Sequence, residues 1–471
     1  MTATARQGRT ADRRPGAATV PCPATGGTGR AIGGAATTAA VTRIASLLPG
    51  GPGSVLGPAP GAVESAEAYL DTGGYRHTDD PERLLEHIAD AGLRGRGGAG
   101  FPAAVKLRAV RDGGGLPVVV ANGEEGEPGS VKDRWLLRAR PHLVLDGLAR
   151  AAAVTGAVQG YVYVSDPYAA ARVRAALDER TTALPVAVIE TGHTYVAGEE
   201  SAVVRRINGG PALPAAKPPR PFERGVSDQP TLVSNVETLA RIALIAAHPD
   251  LRHDIAGSTL LSLSAFRGTP LLAEAPYGTA LRTLATAQGT TDATGALMGG
   301  LFGGLIGPGS LDLPLDHSAL ADAGTALGCG AIRFLQPGVC PVATAADAVD
   351  HLATESARQC GVCVSGTAAI RDTLRQLTCG TAAADTAERL ERWASRLPGR
   401  GACGLLDAAA GTAGSLLTAF PDLVRGHLDA ACAACAACPP TGGHRLVVPV
   451  PHVADAPCES PTRPAPPARP R

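Results

Sequence analysis

The sequence predicts an α/β fold, followed by a small α+β domain and a helical C-terminal region. Three features support this. Strand-like and helix-like runs alternate through the first half, β-rich runs punctuated by glycine occupy 259–312, and periodic helical segments begin beyond 344. At 471 residues the chain has room for two to four domains, with cores large enough to hold a cofactor.

Composition narrows the classes of function. Lys+Arg and Asp+Glu both number 43, so net charge favours neither nucleic acid nor an anionic membrane as partner. Gly (59) and Pro (39) make up about a fifth of the chain, which suits a folded, glycine-rich protein with disordered ends. Only 3% of residues are aromatic, so the core is built from Ala, Val and Leu. The apolar runs 242–247 and 296–306 fall well short of the ~18 residues that a membrane span requires. The N-terminus carries Arg without a continuous apolar stretch, unlike a secretory signal. After Cys22 no cysteine occurs before Cys329, and ten lie between Cys329 and Cys458. Clustering at one end of a large chain indicates metal binding in a reducing compartment, here the cytoplasm.

The elements follow in order. Residues 1–42 are Ala, Gly, Thr and Arg without periodicity and are expected to form a disordered tail. From 43 to about 250, helices at 81–91, 142–154 and 167–177 alternate with strands at 116–121, 160–164 and 185–190, which implies βαβ units and a mostly parallel sheet. A small domain over 251–325 carries a strand at 260–265 and a helix near 279–287. Helices at 344–355, 368–377 and 385–397 define a third domain over 326–430. A Cys/Pro-rich tail, 431–471, holds one short strand candidate at 446–450.

Four segments carry candidate site residues. GRGGAG at 95–100 matches a phosphate-loop pattern, but a helical segment precedes it, so an ordinary Rossmann loop is rejected. Its glycines let backbone N–H groups approach a phosphate, and Arg94, Arg96 and Lys106 supply charge; a tight glycine turn explains the loop equally well. NGEEGEPGSVKDR at 122–134 follows the strand at 116–121, which puts Asn122, Glu124, Glu125 and Glu127 beyond a strand's carboxyl end, where α/β sheets bind ligands. YVAGEES (195–201) and TLVSNVET (231–238) repeat that texture, and the recurrence indicates one composite pocket. Among the cysteines, Cys432, Cys435 and Cys438 form C-x-x-C-x-x-C separated only by Ala, so low-complexity tail is the leading reading, with a second cluster or a zinc site that uses Cys458 as the alternative. Cys329 and Cys340 read as buried small hydrophobes.

With GLRGRGGAGFPAAVK, NGEEGEPGSVKDR, YVAGEESAV, KPPRPF and VSNVETLA in this order, the chain resembles the NADH-binding flavoprotein subunits of NADH-quinone oxidoreductase, the F subunits, and their relatives in NAD-linked hydrogenases and formate dehydrogenases. The resemblance implies an FMN/NADH-binding α/β domain, a small β-grasp domain of the soluble-ligand-binding kind and a helical iron-sulfur domain. It implies FMN held by Arg94, Gly95, Arg96, Gly97, Gly98, Gly100, Lys106, Asn122, Glu124, Tyr195, Gly198, Glu199, Glu200, Ser234, Asn235 and Thr238. Phe101 and the nearby acids would contribute to the NADH site, with Glu125 and Glu127 as candidate catalytic acids.

The resemblance also implies a [4Fe-4S] cluster and an electron-accepting partner, a ferredoxin or a [2Fe-2S] subunit, within a hetero-oligomer. Cys360, Cys363 and Cys403 occupy ligand positions, while Ala357 stands where the family places its first cysteine. Cys432 is the expected fourth ligand, with Cys379 as the alternative; without either, the cluster is three-iron, labile or absent. Glu124 replaces the family's Asp, Ser234 replaces an Asn, and Leu107 and Ala109 replace aromatics. The expected activity is NADH dehydrogenase; the second reading is a non-catalytic paralogue that serves as an iron-sulfur or assembly module.

Overall fold

A computed structural model describes residues 41–75, 80–180, 182–430, 432–437 and 443–455. Almost all of the expected N-terminal tail, with Cys22, lies outside the described residues, as do Cys438 and Cys458. The strands in chain order are β1 (Arg43–Ser46), β2 (Val118–Asn122), β3 (Gln159–Val164), β4 (Val186–Glu190), β5 (Thr231–Asn235), β6 (Ser258–Ala265), β7 (Leu271–Pro276), β8 (Gly295–Leu297), β9 (Leu305–Ile306) and β10 (Ala331–Leu335).

The first sheet has the order β4-β3-β2-β5, with every pair parallel. Helices cover both faces, which is why β2 reads VVVAN, a continuous apolar run rather than an alternating one. Helices Pro141–Thr155 and Val236–Ala247 pack so closely that a Cβ on Gly147 would stand 1.9 Å from the Leu239 carbonyl oxygen. Only glycine fits there. The expected strands and helices of this region all form, with ends displaced by no more than two residues.

The second sheet, β1-β7-β6-β10-β8-β9, is mixed. β6 and β7 form an antiparallel hairpin, β1 lies parallel to β7, and β10 lies parallel to β6. The small domain expected over 251–325 therefore recruits β1 and β10 from beyond those limits. The cause is burial: all of β6 and nearly all of β7 are buried, so each needs a hydrogen-bonded neighbour on both edges, and β10 supplies it for β6 and β1 for β7.

The C-terminal region is a helical bundle built from Pro341–Thr354, Gly361–Thr378, Thr386–Arg396, Leu405–Ala419 and Pro421–Asp429, packed through Leu352, Leu374, Leu390, Leu406 and Leu416. After the short helix Ala433–Ala437, residues 443–455 run back across the molecule rather than trailing away. Val448 N–H donates to the Pro128 carbonyl (2.9 Å), Arg333 Nη2 to that of Leu446 (2.9 Å), and Ala454 N–H to that of Gly61 (2.8 Å). The strand expected at 446–450 does not form. A single 3-10 turn at His444–Leu446 leads into extended chain without a ladder partner.

Candidate functional site

The glycine loop joins helix Pro81–Asp90 to helix Ala103–Arg111, so a helix and not a strand precedes it, as the sequence indicates. Gly95 N–H donates to the Phe101 carbonyl (2.8 Å) and Arg94 Nη1 to that of Gly100 (3.1 Å), closing the loop on itself. Gly98 has φ +121°, a conformation that disfavours any Cβ, and a Cβ on Gly97 would meet Asn235 Cβ at 3.3 Å. The loop thus presses against the start of helix Val236–Ala247. The Arg96 N–H donates to Thr238 Oγ1 at 2.9 Å and fixes that approach.

The carboxyl ends of β2 and β5 lie side by side, with Ala121 opposite Ser234 and Asn122 opposite Asn235. Asn235 caps its helix by accepting from Glu237 N–H (3.0 Å) and donates to Asp133 (2.7 Å). Asn122 Nδ2 donates to the Gly198 carbonyl (2.8 Å), which ties the second and third motifs together. A Cβ on Gly198 would stand 2.9 Å from the Glu124 carbonyl oxygen. Lys106 Nζ donates to the Val233 carbonyl (2.8 Å) and lies 3.5 Å from Glu200, so it reaches the same strand ends from the helix after the loop.

The Glu124 side chain is inaccessible to solvent, and neither of its oxygens has a hydrogen-bond partner among the described residues. His193 Nδ1 lies 3.2 Å from Oε1 and forms an ion pair with it when protonated, and this carboxylate raises the His193 imidazole above its ordinary value. His193 therefore offsets the cost of burying this carboxylate. The left-handed glycine cradle and the helix start at Asn235 fit a phosphorylated cofactor such as FMN.

Two expected roles do not match the geometry. Glu125 is turned inward: its carboxylate accepts from Ser130 Oγ, the N–H groups of Asp133 and Arg134 (both 3.2 Å) and Arg134 Nε (3.2 Å). It fastens the start of helix Lys132–Ala139, so its lone pairs are spent on structure and not on catalysis. The Arg96 guanidinium is likewise buried and donates to the carbonyls of Ala256 (2.8 Å) and Ser258 (2.9 Å). Its charge serves the junction with the second sheet and is not offered to a phosphate.

Glu127 differs from Glu125. It accepts from the Tyr195 hydroxyl (2.8 Å) and from Leu301 N–H (3.0 Å), and burial pushes its carboxyl up to about 7 despite those two donors. Tyr195 N–H donates to Glu355 at 2.9 Å, connecting this acid to the segment that precedes Cys360. Glu199 caps helix Glu200–Ile207, accepts from Ser201 N–H (3.0 Å) and pairs with Lys217, which also lies 3.6 Å from Glu200. Lys217, within the KPPRPF motif, is not among the residues singled out from the sequence; its position beside Glu199 and Glu200 is the signal that places it there. Phe101 is half exposed at the rim, whereas Leu107, at a position the family gives to an aromatic, is buried in the core.

The cysteines fall into two groups. Cys360, Cys363 and Cys403 line one pocket together with Ser356 and Ala357. Cys432, the expected fourth ligand, sits elsewhere: its sulfur lies within 4.8 Å of the ligand atoms of Cys340, His427 and Cys435. The alternative, Cys379, is engaged in a disulfide. The first pocket therefore offers three thiols, with Ala357 on its wall. Cys340 does not act merely as a small hydrophobe, and the grouping that includes it is not evident from the sequence because Cys340 and His427 are 87 residues apart.

Comparisons with known proteins agree with this geometry. Residues 88–244 match the family described as the Nuo51 FMN-binding domain, and residues 343–427 match the NADH-ubiquinone oxidoreductase-F iron-sulfur binding region. The chain is 31% identical over 378 residues to the second F subunit of the NADH-quinone oxidoreductase of Rhizobium meliloti, covering 73% of this chain and 89% of that protein. It is 30% identical over 380 residues to the corresponding F subunit of Streptomyces coelicolor, covering 74% and 83%. Among solved structures, a chain of an NAD+-reducing [NiFe]-hydrogenase in the H2-reduced state superimposes with a TM-score of 0.67 at 28% identity, covering 79% of this chain and 69% of that one.

Proposed function

Since the chain belongs to the family of NADH-quinone oxidoreductase F subunits, we propose that it takes electrons from NADH at the junction of the glycine loop with the ends of β2 and β5. It is an FMN-dependent oxidoreductase acting on NADH. The observation that supports this location best is the glycine loop itself, with Gly98 and Gly100 at positive φ and Gly97 packed on Asn235, where the ends of β2 and β5 meet the start of helix Val236–Ala247.

When bound, FMN supplies the redox chemistry, accepting a hydride equivalent and releasing electrons singly. The protein's task is to bind, orient and exclude water. Gly97, Gly98 and Gly100 leave room for close approach, and the helix start at Asn235 with Lys106 supplies positive potential to a phosphate. Asn122 shapes the strand-end turn by donating to the Gly198 carbonyl and accepting from Glu124 N–H. Phe101 presents an exposed ring where a nicotinamide can stack, and Lys217 with Glu199 and Glu200 forms a polar rim. Glu127, Tyr195 and Glu355 brace this side of the site against the cysteine loop.

The cysteine pocket fits an iron-sulfur cluster held by three protein thiolates, from Cys360, Cys363 and Cys403, with Ala357 leaving one iron without a protein sulfur. No helix among the described residues is long and apolar enough to cross a membrane. The relatives named above are subunits of larger assemblies. We infer from those relatives that this chain acts as part of a hetero-oligomer and passes electrons to a ferredoxin or a [2Fe-2S] subunit, and from its cysteine clustering that it does so in the cytoplasm.

The test is NADH:ferricyanide reductase activity after anaerobic purification and FMN reconstitution. Turnover that requires FMN supports the proposal; protein that retains no FMN and shows no FMN-dependent turnover refutes it.

A further inference from the structure

We propose that Cys340, His427, Cys432 and Cys435 form a mononuclear metal site, filled by zinc, separate from the Cys360, Cys363 and Cys403 pocket. The four ligand atoms all lie within 4.8 Å of one another. His427 Nε2 stands 3.4 Å from Cys340 Sγ and 3.4 Å from Cys435 Sγ. In a tetrahedral zinc site with ordinary Zn–S and Zn–N bonds, S···N edges are about 3.6 Å and S···S edges about 3.8 Å. A multi-iron cluster places bridging sulfides between its irons and spreads its thiolates further apart, so the compactness of this group indicates a single ion.

The histidine is already set for ligation. His427 Nδ1 lies 2.8 Å from the Leu423 carbonyl, which only accepts, so Nδ1 carries the proton and Nε2 presents its lone pair to the sulfurs. The four residues come from three stretches of chain. Cys340 caps helix Pro341–Thr354, His427 lies in helix Pro421–Asp429, and Cys432 and Cys435 straddle the start of the short helix Ala433–Ala437. Cys340, His427 and Cys435 are buried. Four soft or borderline ligands converging in a closed site, with no position left open, describe a structural zinc centre and not a catalytic one. Binding converts three thiols to thiolates and releases their protons to solvent, with no change of oxidation state.

The site's place in the fold explains its use. It lies at the point where the chain leaves the helical bundle, before residues 443–455 cross to Pro128 and Gly61 on the first domain. A metal there fastens the return segment to the two helices that carry Cys340 and His427. This inference does not depend on the proposed flavin chemistry.

The experiment is elemental analysis of the full chain, purified anaerobically from zinc-supplemented cells, beside the double variant Cys432→Ser/Cys435→Ser. The expected result is one zinc per chain in the wild type, lost in the variant, with iron and flavin content unchanged. Absence of stoichiometric zinc in the wild type, or full zinc retention by the variant, would overturn the proposal. Extra iron and sulfide that disappear with those two cysteines would overturn it as well. If the double variant does not fold, cobalt substitution of the wild type and of His427→Cys decides: tetrahedral cobalt bands, with stronger thiolate charge transfer in His427→Cys, are expected. A spectrum of hexahydrated cobalt in both proteins contradicts the site.

Discussion

The Tyr195 hydroxyl donates to Oε1 of Glu127 at 2.8 Å, while the Tyr195 N–H is held by Glu355, so one residue couples the acid that holds Leu301 to the cysteine segment. Burial raises the Glu127 carboxyl to about 7, well above its value in an unfolded chain. Between those values the folded state binds more protons than the unfolded state. The stabilising contribution of this group is therefore fully present below about pH 4.5 and is lost as pH rises through 7. Thermal unfolding from pH 5 to 8 should show this decline in the wild type and a flatter profile in Glu127→Gln. Identical profiles would refute the assignment.

Glu124→Ala tests whether the buried carboxylate beside His193 serves the flavin. If its oxygens receive donors from the flavin, removing them should weaken FMN binding by about ten- to a hundredfold, the range for hydrogen bonds to a charged group. If they receive none, the variant breaks only the pair with His193, so FMN affinity stays unchanged and the His193 imidazole falls back toward its ordinary value. Fluorescence titration of the apoprotein with FMN distinguishes the two outcomes.

Lys132 is buried between Asp133 (2.6 Å) and Glu237 (3.2 Å). Burial alone would raise the Glu237 carboxyl, but Lys132, Arg241 and Arg96 outweigh it and hold the group down to about 2. Lys132→Met leaves these acids short of a cation and should destabilise the fold by about 3–5 kcal/mol. Chemical denaturation measures this directly, and a loss below about 1 kcal/mol would show that the network does not depend on Lys132.

Ala357→Cys returns a fourth thiol to the cluster pocket. Absorbance of the cluster should then decay several-fold more slowly in air than in the wild type, because no iron is left without a protein sulfur. Equal decay in the two proteins would show that another group already occupies that corner.

Much of the architecture can be read from the sequence because the helices and strands of the first domain are long, periodic or uniformly apolar. Helix Leu405–Ala419 lacks that signal: its LLDAAAGTAGSLLTA is so rich in small residues that no amphipathic stripe stands out. β1 and β10 belong to a sheet assembled from segments hundreds of residues apart, which local pattern does not reveal. The glycine loop and the strand-end acids are legible because their chemistry is concentrated in short motifs. Glu125 and Glu127 look alike in sequence, and only the fold separates a helix fastener from a carboxyl raised by burial. Cys432 has plausible spacing for either cysteine group, and its choice of Cys340 and His427 is decided by packing alone.

Electron flow from NADH through FMN to a cluster on Cys360, Cys363 and Cys403 is best tested by an anaerobic NADH titration of the wild type and Cys360→Ala, followed by visible absorbance. NADH should bleach a flavin band in both proteins, and a broad cluster absorbance should be present in the wild type alone. A flavin band that NADH leaves unbleached, or cluster absorbance that survives in Cys360→Ala, would contradict this route.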